Sequence, residues 1–293
     1  MRMHITRWIS RAATLCVVGP IAARLAQGVH APDGAEGASF LVSETPARGM
    51  IVLAIVLAMT GLVGVLIARV STRREAMLNM SFVLGWVAWT SGRMGELFRV
   101  DQSGFVMLAI EAALIGCVVV AVMVVASGTQ DEDSSSRFDP KTMLAGKGGI
   151  SLFAAAIVTL AIVWLFGQTD LPGQSLWSSF AGGVAAGLVG AMVQQSSGAG
   201  TKGAHPRQRD PETTHGFAPM IVGVLFAGVL APLVGMFVPG SGGVLKTIGL
   251  GTLPGWLAVS PIAWSVGALL GVPIGWGWVE STVAMQETSV KHA

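Results

Sequence analysis

Tyrosine is absent from the 293 residues, charged side chains are scarce, and only two cysteines occur. Each scarcity excludes something. Charged residues make up 12%, about half the roughly 25% usual in soluble domains, so water is the wrong solvent for most of this chain. Eighteen basic against sixteen acidic side chains leave a net charge of +2, too even for the broad basic face that nucleic acid requires. Cys16 and Cys117 both sit in apolar runs and supply neither a disulfide framework nor a thiolate metal site. The missing tyrosine and the excess of arginine over lysine read as GC-rich coding, which fits a bacterium.

Signatures of catalysis are lacking as well. No apolar run contains histidine, which excludes bis-histidine haem ligation within a membrane, and no H-E-x-x-H zinc motif occurs. Residues 240–247 resemble a phosphate-binding loop at a glance, but Leu245 stands where glycine must precede Lys246-Thr247. The last apolar run has no lysine, so a retinal pigment is not matched. His205 and His215 lack the cysteine or carboxylate neighbours of a metal site and read as solvated loop histidines. No cofactor, metal or catalytic residue is assigned.

What the chain has in abundance is apolar residues, at 52% with a mean hydropathy of +0.67. They gather into seven blocks, 49–70, 77–98, 104–127, 148–167, 175–194, 217–238 and 256–279. Each approaches or exceeds the roughly 20 residues that carry a helix across a bilayer. None shows the period-2 alternation of a transmembrane barrel. The expected fold is all-α, a polytopic membrane protein of about seven transmembrane helices (49–279) after a signal-like N-terminal segment.

That segment begins with Arg2, Arg7 and Arg11, then an apolar stretch over 12–23 that Gly19-Pro20 interrupts. About a dozen residues are too few to span roughly 30 Å of hydrocarbon but suit a signal-peptide core. Ala26-Gln27-Gly28 and Val29-His30-Ala31 resemble cleavage boxes, although Pro32 argues against the second. Residues 1–28 therefore read either as a cleaved leader or as an uncleaved anchor. Residues 29–48, with Asp33, Glu36 and Glu44, read as an exposed extracytoplasmic lead.

Basic residues set the orientation. Links one, three and five, with the tail over 280–293, hold ten lysines and arginines, whereas the links on the opposite side hold Arg93, Arg99 and Lys246. The positive-inside rule then predicts a cytoplasmic C-terminus in a bacterial cytoplasmic membrane. Trp164, Trp177 and Trp256 fall at the outer interface and Trp276 and Trp278 at the inner one, while Trp86 and Trp89 fit neither belt. The connections 129–147 and 198–216 read as solvated loops, and the glycine-rich stretch 239–255 as lying along or dipping into the outer interface.

Two features bear on packing. Gly267, Gly271 and Gly275 recur every four residues, and Ser179, Gly183, Ala186, Gly187 and Gly190 line a second groove. Small residues let membrane helices approach closely, either within one chain or in a homo-oligomer or membrane complex. Pro219, Pro232, Pro261 and Pro273 predict bends in the sixth and seventh blocks.

Arg93, Glu96 and Glu111 carry the functional signal, because ionisable groups within spans are costly and face the bundle interior or water. Arg93 and Glu111 each lie nine positions from Gln102, the centre of the intervening turn, which predicts an ion pair across a helical hairpin. Asn79, Trp86 and Arg93, seven residues apart, predict a polar and aromatic stripe. The expected function is a non-enzymatic structural, assembly or accessory membrane component in contact with the lipid bilayer and not with nucleic acid. The alternative is a permease or channel for a small solute or ion using the Arg93/Glu111 region.

Overall fold

The computed structural model describes residues 2–32, 34, 39–90, 94–100, 104–127, 143–144, 146–169, 171–195, 216–237 and 254–292. Every element among them is helical. The chain opens with α1 (Arg2–Ala13), a π-helical turn (Thr14–Val18) and α2 (Gly19–Gln27). It continues through α3 (Pro46–Val70), α4 (Arg73–Thr90), α5 (Met94–Val100) and α6 (Phe105–Ser127). Then come α7 (Gly146–Phe166), α8 (Pro172–Gln195) and α9 (Ala218–Gly235). The last assembly is α10 (Pro261–Val266), a second π turn (Gly267–Gly271) and α11 (Val272–His292). The loop stretches 129–147, 198–216 and 239–255 fall almost wholly outside the described residues.

Among the described residues, seven helices are long and apolar enough to cross a membrane: Ile5–Gln27, Pro46–Val70, Phe105–Ala126, Gly146–Phe166, Gly173–Gln195, Ala218–Gly235 and Pro261–Thr282. The fold is all-α and polytopic. At 25 residues and about 1.5 Å per residue, α3 has ample reach for roughly 30 Å of hydrocarbon.

The membership of the seven differs from expectation at two places. The N-terminal stretch is one of them, because Pro20 does not end the helix. The backbone widens into a π turn just before the proline, with the Gly19 N–H donating to the Thr14 carbonyl five residues back. Helical direction is kept, so Ile5–Gln27 has 23 residues where the apolar stretch alone suggested a dozen. The expected second span, 77–98, is instead divided between α4 and α5. Arg73, Arg74 and Glu75 open α4, and its apolar residues Met77, Met80, Val83, Leu84 and Val87 are buried by protein.

The prolines divide similarly. Pro219 and Pro261 occupy the first turns of α9 and α10, where the missing N–H costs no helical hydrogen bond. Pro232 and Pro273 are interior, and the second π turn ends two residues before Pro273, just as the first ends two before Pro20.

Residues 39–43 also differ from the exposed lead expected there. Ser39, Phe40, Val42 and Ser43 are buried. Phe40 joins the main core, whereas Val42 packs with Met94, Leu97, Phe98, Phe105, Leu108 and Leu257. Gly49 makes this possible, since a Cβ there would overlap the Phe40 carbonyl. The strap thereby crosses directly over the first turn of α3.

The final helix is the hub. It packs against α8, α9, α6 and α4, and 78% of its membrane-length window is buried, against 22% for the N-terminal helix. The two small-residue grooves close on each other at its centre. A Cβ on Gly183 would overlap the Gly267 carbonyl, one on Gly187 the Val272 carbonyl, and one on Gly275 the Val184 carbonyl. A Cβ on Gly271 would likewise crowd the Phe180 carbonyl. Backbone thus meets backbone, and dispersion between closely apposed helices replaces a hydrophobic drive that lipid does not supply. Trp276, expected at the interface, is buried beside this contact, whereas Trp164, Trp177 and Trp278 are exposed.

Gly183→Ala is expected to destabilise the bundle by about 3 kcal/mol or more, because backbone cannot yield as a side-chain tip can. Gly85→Ala, with open space at the added Cβ, should be neutral or stabilising by up to about 1 kcal/mol. Unfolding in detergent micelles measures both.

Candidate functional site

Glu111 sits in the second turn of α6, 1% exposed. Its neighbours come from the strap. Ser43 Oγ donates to the Phe40 carbonyl at 3.0 Å, and the Val42 N–H donates to Ser39 Oγ at 3.3 Å, which folds residues 39–43 into a tight turn. Successive N–H groups in such a turn form a concave nest that suits an anion. Here the Phe40 and Leu41 N–H groups donate to Glu111 Oε2 at 2.9 and 3.0 Å, and the Ser39 hydroxyl donates to the same oxygen at 2.5 Å. Three donors converge on one oxygen. Oε1 is buried with no hydrogen-bond partner among the described residues.

Arg93, the expected partner of Glu111, lies outside the described residues, as does the side chain of Glu96, which α5 carries. The other two members of the expected stripe face separate tasks. Asn79 Nδ2 donates to the Glu75 carbonyl of its own helix at 2.8 Å, and Trp86 Nε1 donates to the Leu15 carbonyl at 2.8 Å. Trp86 and Trp89, which fitted neither interfacial belt, line an apolar groove of about 570 Å³ with Leu15, Trp177 and Phe180.

An ion pair lies elsewhere among the described residues. Arg11 of α1 grips Glu75 of α4 with two bonds, Nε to Oε2 at 3.0 Å and Nη2 to Oε1 at 2.5 Å. Glu75 is only 7% exposed. A planar, two-pronged match of this kind fixes orientation as well as charge. Sequence reasoning missed it, since nothing in the local pattern pairs a residue of the leader with one 64 positions on. It missed the strap as well, although the apolar triplet Phe40-Leu41-Val42 inside a polar lead was a readable sign of burial.

The glycines singled out from sequence, Gly183 and Gly187 on one side and Gly267, Gly271 and Gly275 on the other, are brought together within one chain. Between α6 and the last helix lies a cavity of about 10 Å³ lined by Phe98, Leu108, Pro232 and Trp264 among others, room for one water at most. No group of histidine, cysteine and carboxylate side chains among the described residues could hold a metal ion. The chemistry that remains is that of a carboxylate held by its own chain.

Compared with protein-family models, curated proteins and solved structures, the chain finds no match. What its fold defines is a multi-pass helical membrane protein.

Ser39→Ala removes one of three donors to a buried carboxylate and is expected to cost about 1.5–3 kcal/mol in stability. Glu75→Gln, which leaves the partly exposed Arg11 without its charged partner, should cost about 1 kcal/mol. Thermal or denaturant unfolding of the purified protein in micelles tests both values.

Proposed function

We propose that this protein is a non-enzymatic structural, assembly or accessory component of a membrane. The observation that carries the reading is the occupation of Glu111, the buried carboxylate of α6, by Ser39, Phe40 and Leu41. A carboxylate that serves a moving ion or solute needs space beside it. This one fastens a strap to the bundle, and the cavity one turn away along α6 has a volume of about 10 Å³. The mutual burial of the glycine grooves supports the same reading, since those faces are spent inside the chain. A homo-oligomer or a larger membrane complex would then assemble on other faces.

The proposal extends to placement. With α4 and α5 together taken as one further crossing beside the seven membrane-length helices, basic residues concentrate in alternate connections and in the tail, which supports a bacterial cytoplasmic membrane with the C-terminus in the cytoplasm. Reporter fusions after Ser136 and Gly203 are expected to behave as cytoplasmic and a fusion at Gly173 as external. The reverse pattern rejects the orientation.

A permease or channel is the second reading, favoured by the one carboxylate oxygen, Oε1, that has no partner among the described residues. The two readings separate in one experiment. Glu111→Gln should lower the yield of folded protein or of its complexes, while vesicles reconstituted with the parent chain show no more leak of protons, sodium, potassium or small solutes than empty vesicles. Flux through the parent that Glu111→Gln abolishes at normal folded yield would establish the permease instead.

A further inference from the structure

We infer that Arg2–Gln27 is a permanent helix of the mature bundle, fastened to α4 through a carbonyl that Pro20 leaves without a helical donor, and is not a leader removed by a peptidase. The argument begins at the π turn. There each carbonyl takes its hydrogen bond from the residue five positions on, as the Thr14 carbonyl does from the Gly19 N–H. For Leu15 that residue is Pro20, which has no N–H. An unpaired carbonyl among apolar side chains is costly, and hydrocarbon offers it nothing. Trp86 of α4 supplies the missing donor, its Nε1 lying 2.8 Å from the Leu15 oxygen.

The indole reaches that oxygen because Gly19 has no side chain: a Cβ at position 19 would overlap the Trp86 ring. Gly19-Pro20, the dipeptide that reads as a break in a signal core, therefore builds a socket for one tryptophan of another helix. Arg11 and Glu75 fasten the same two elements two turns away. Ala22 and Ala23 are buried in the contact, and Ile5, Trp8, Ile9, Val17 and Ile21 are exposed, as suits a helix at the edge of a bundle.

The candidate cleavage boxes are closed by the same fold. A peptidase needs an extended, accessible backbone around the scissile bond. Here Ala26 and Gln27 are helical, Gly28 lies under the Arg48 guanidinium, and Val29 and Ala31 are buried. The His30 carbonyl accepts the Glu44 N–H at 2.9 Å. Removing residues 1–28 would uncover Glu75 and leave the Trp86 indole without its acceptor.

This inference stands apart from the functional reading, and its test does not use function. Intact mass and N-terminal sequencing of the full chain purified from membranes should show residues 2–27 retained; a mature terminus at Val29 or Pro32 overturns the proposal. A specific protease site inserted at Gly34, which is exposed with open space around it, gives the second measurement. After cutting in mild detergent, the N-terminal fragment should co-purify with the remainder. Gly19→Val and Glu75→Gln, introduced into that same cleavable chain, should each release it. Separation of the fragment from the otherwise unsubstituted chain on cutting, or full retention in both variants, overturns the docking.

Discussion

Hydrocarbon donates no hydrogen bonds, so every polar group that enters it must be met by the protein itself. Much of this structure follows from that constraint. The Glu111 carboxylate receives a hydroxyl and two backbone amides from the strap, whose Phe40 and Val42 are buried beside it. Hydroxyls within helices turn back on their own carbonyls, Thr60 to Val56 and Thr159 to Ala155. The Leu15 carbonyl, orphaned by Pro20, finds an indole. For Glu111 and for the Leu15 carbonyl, the donor that meets the group decides a tertiary contact.

Close packing completes what polar pairing begins. The hub helix touches α8 through glycines on both sides, and its backbone passes within reach of the facing backbone over two turns. Such proximity increases dispersion contacts, which are small singly and large together. It also leaves no room for adjustment, so this contact is the rigid centre around which the peripheral N-terminal helix and the strap are arranged. The serine at the N-cap of α10 adds to that rigidity: Ser260 accepts from the Ala263 N–H and donates its own N–H to Ser175 of α8.

Six of the membrane-length helices were legible in the sequence, because bilayer thickness translates directly into run length and each run is apolar nearly all round. The N-terminal one was not. Gly19-Pro20 looks like a stop, and no residue pattern announces that a π turn will absorb it. For the same reason the division of 77–98 was hidden: Met77 to Val87 is apolar whether lipid or protein surrounds it. At the site, the cost of Glu111 within a span was plain from its position, but its partners were not. Depth arithmetic compares only adjacent helices of a hairpin, and the strap belongs to neither. The glycine spacing identified both faces, while their mutual contact depended on which helices become neighbours, a property of the whole bundle.

Hydrogen exchange at the Phe40 and Leu41 amides reaches the centre of the account, since those two N–H groups bind the carboxylate without themselves belonging to a helix. The structure predicts that both exchange as slowly as amides in the buried turns of α6, and that Glu111→Ala returns them to the rate of an open loop while α6 stays protected. Rapid exchange of both amides in the unaltered protein would contradict it, for then the carboxylate is not what holds the strap.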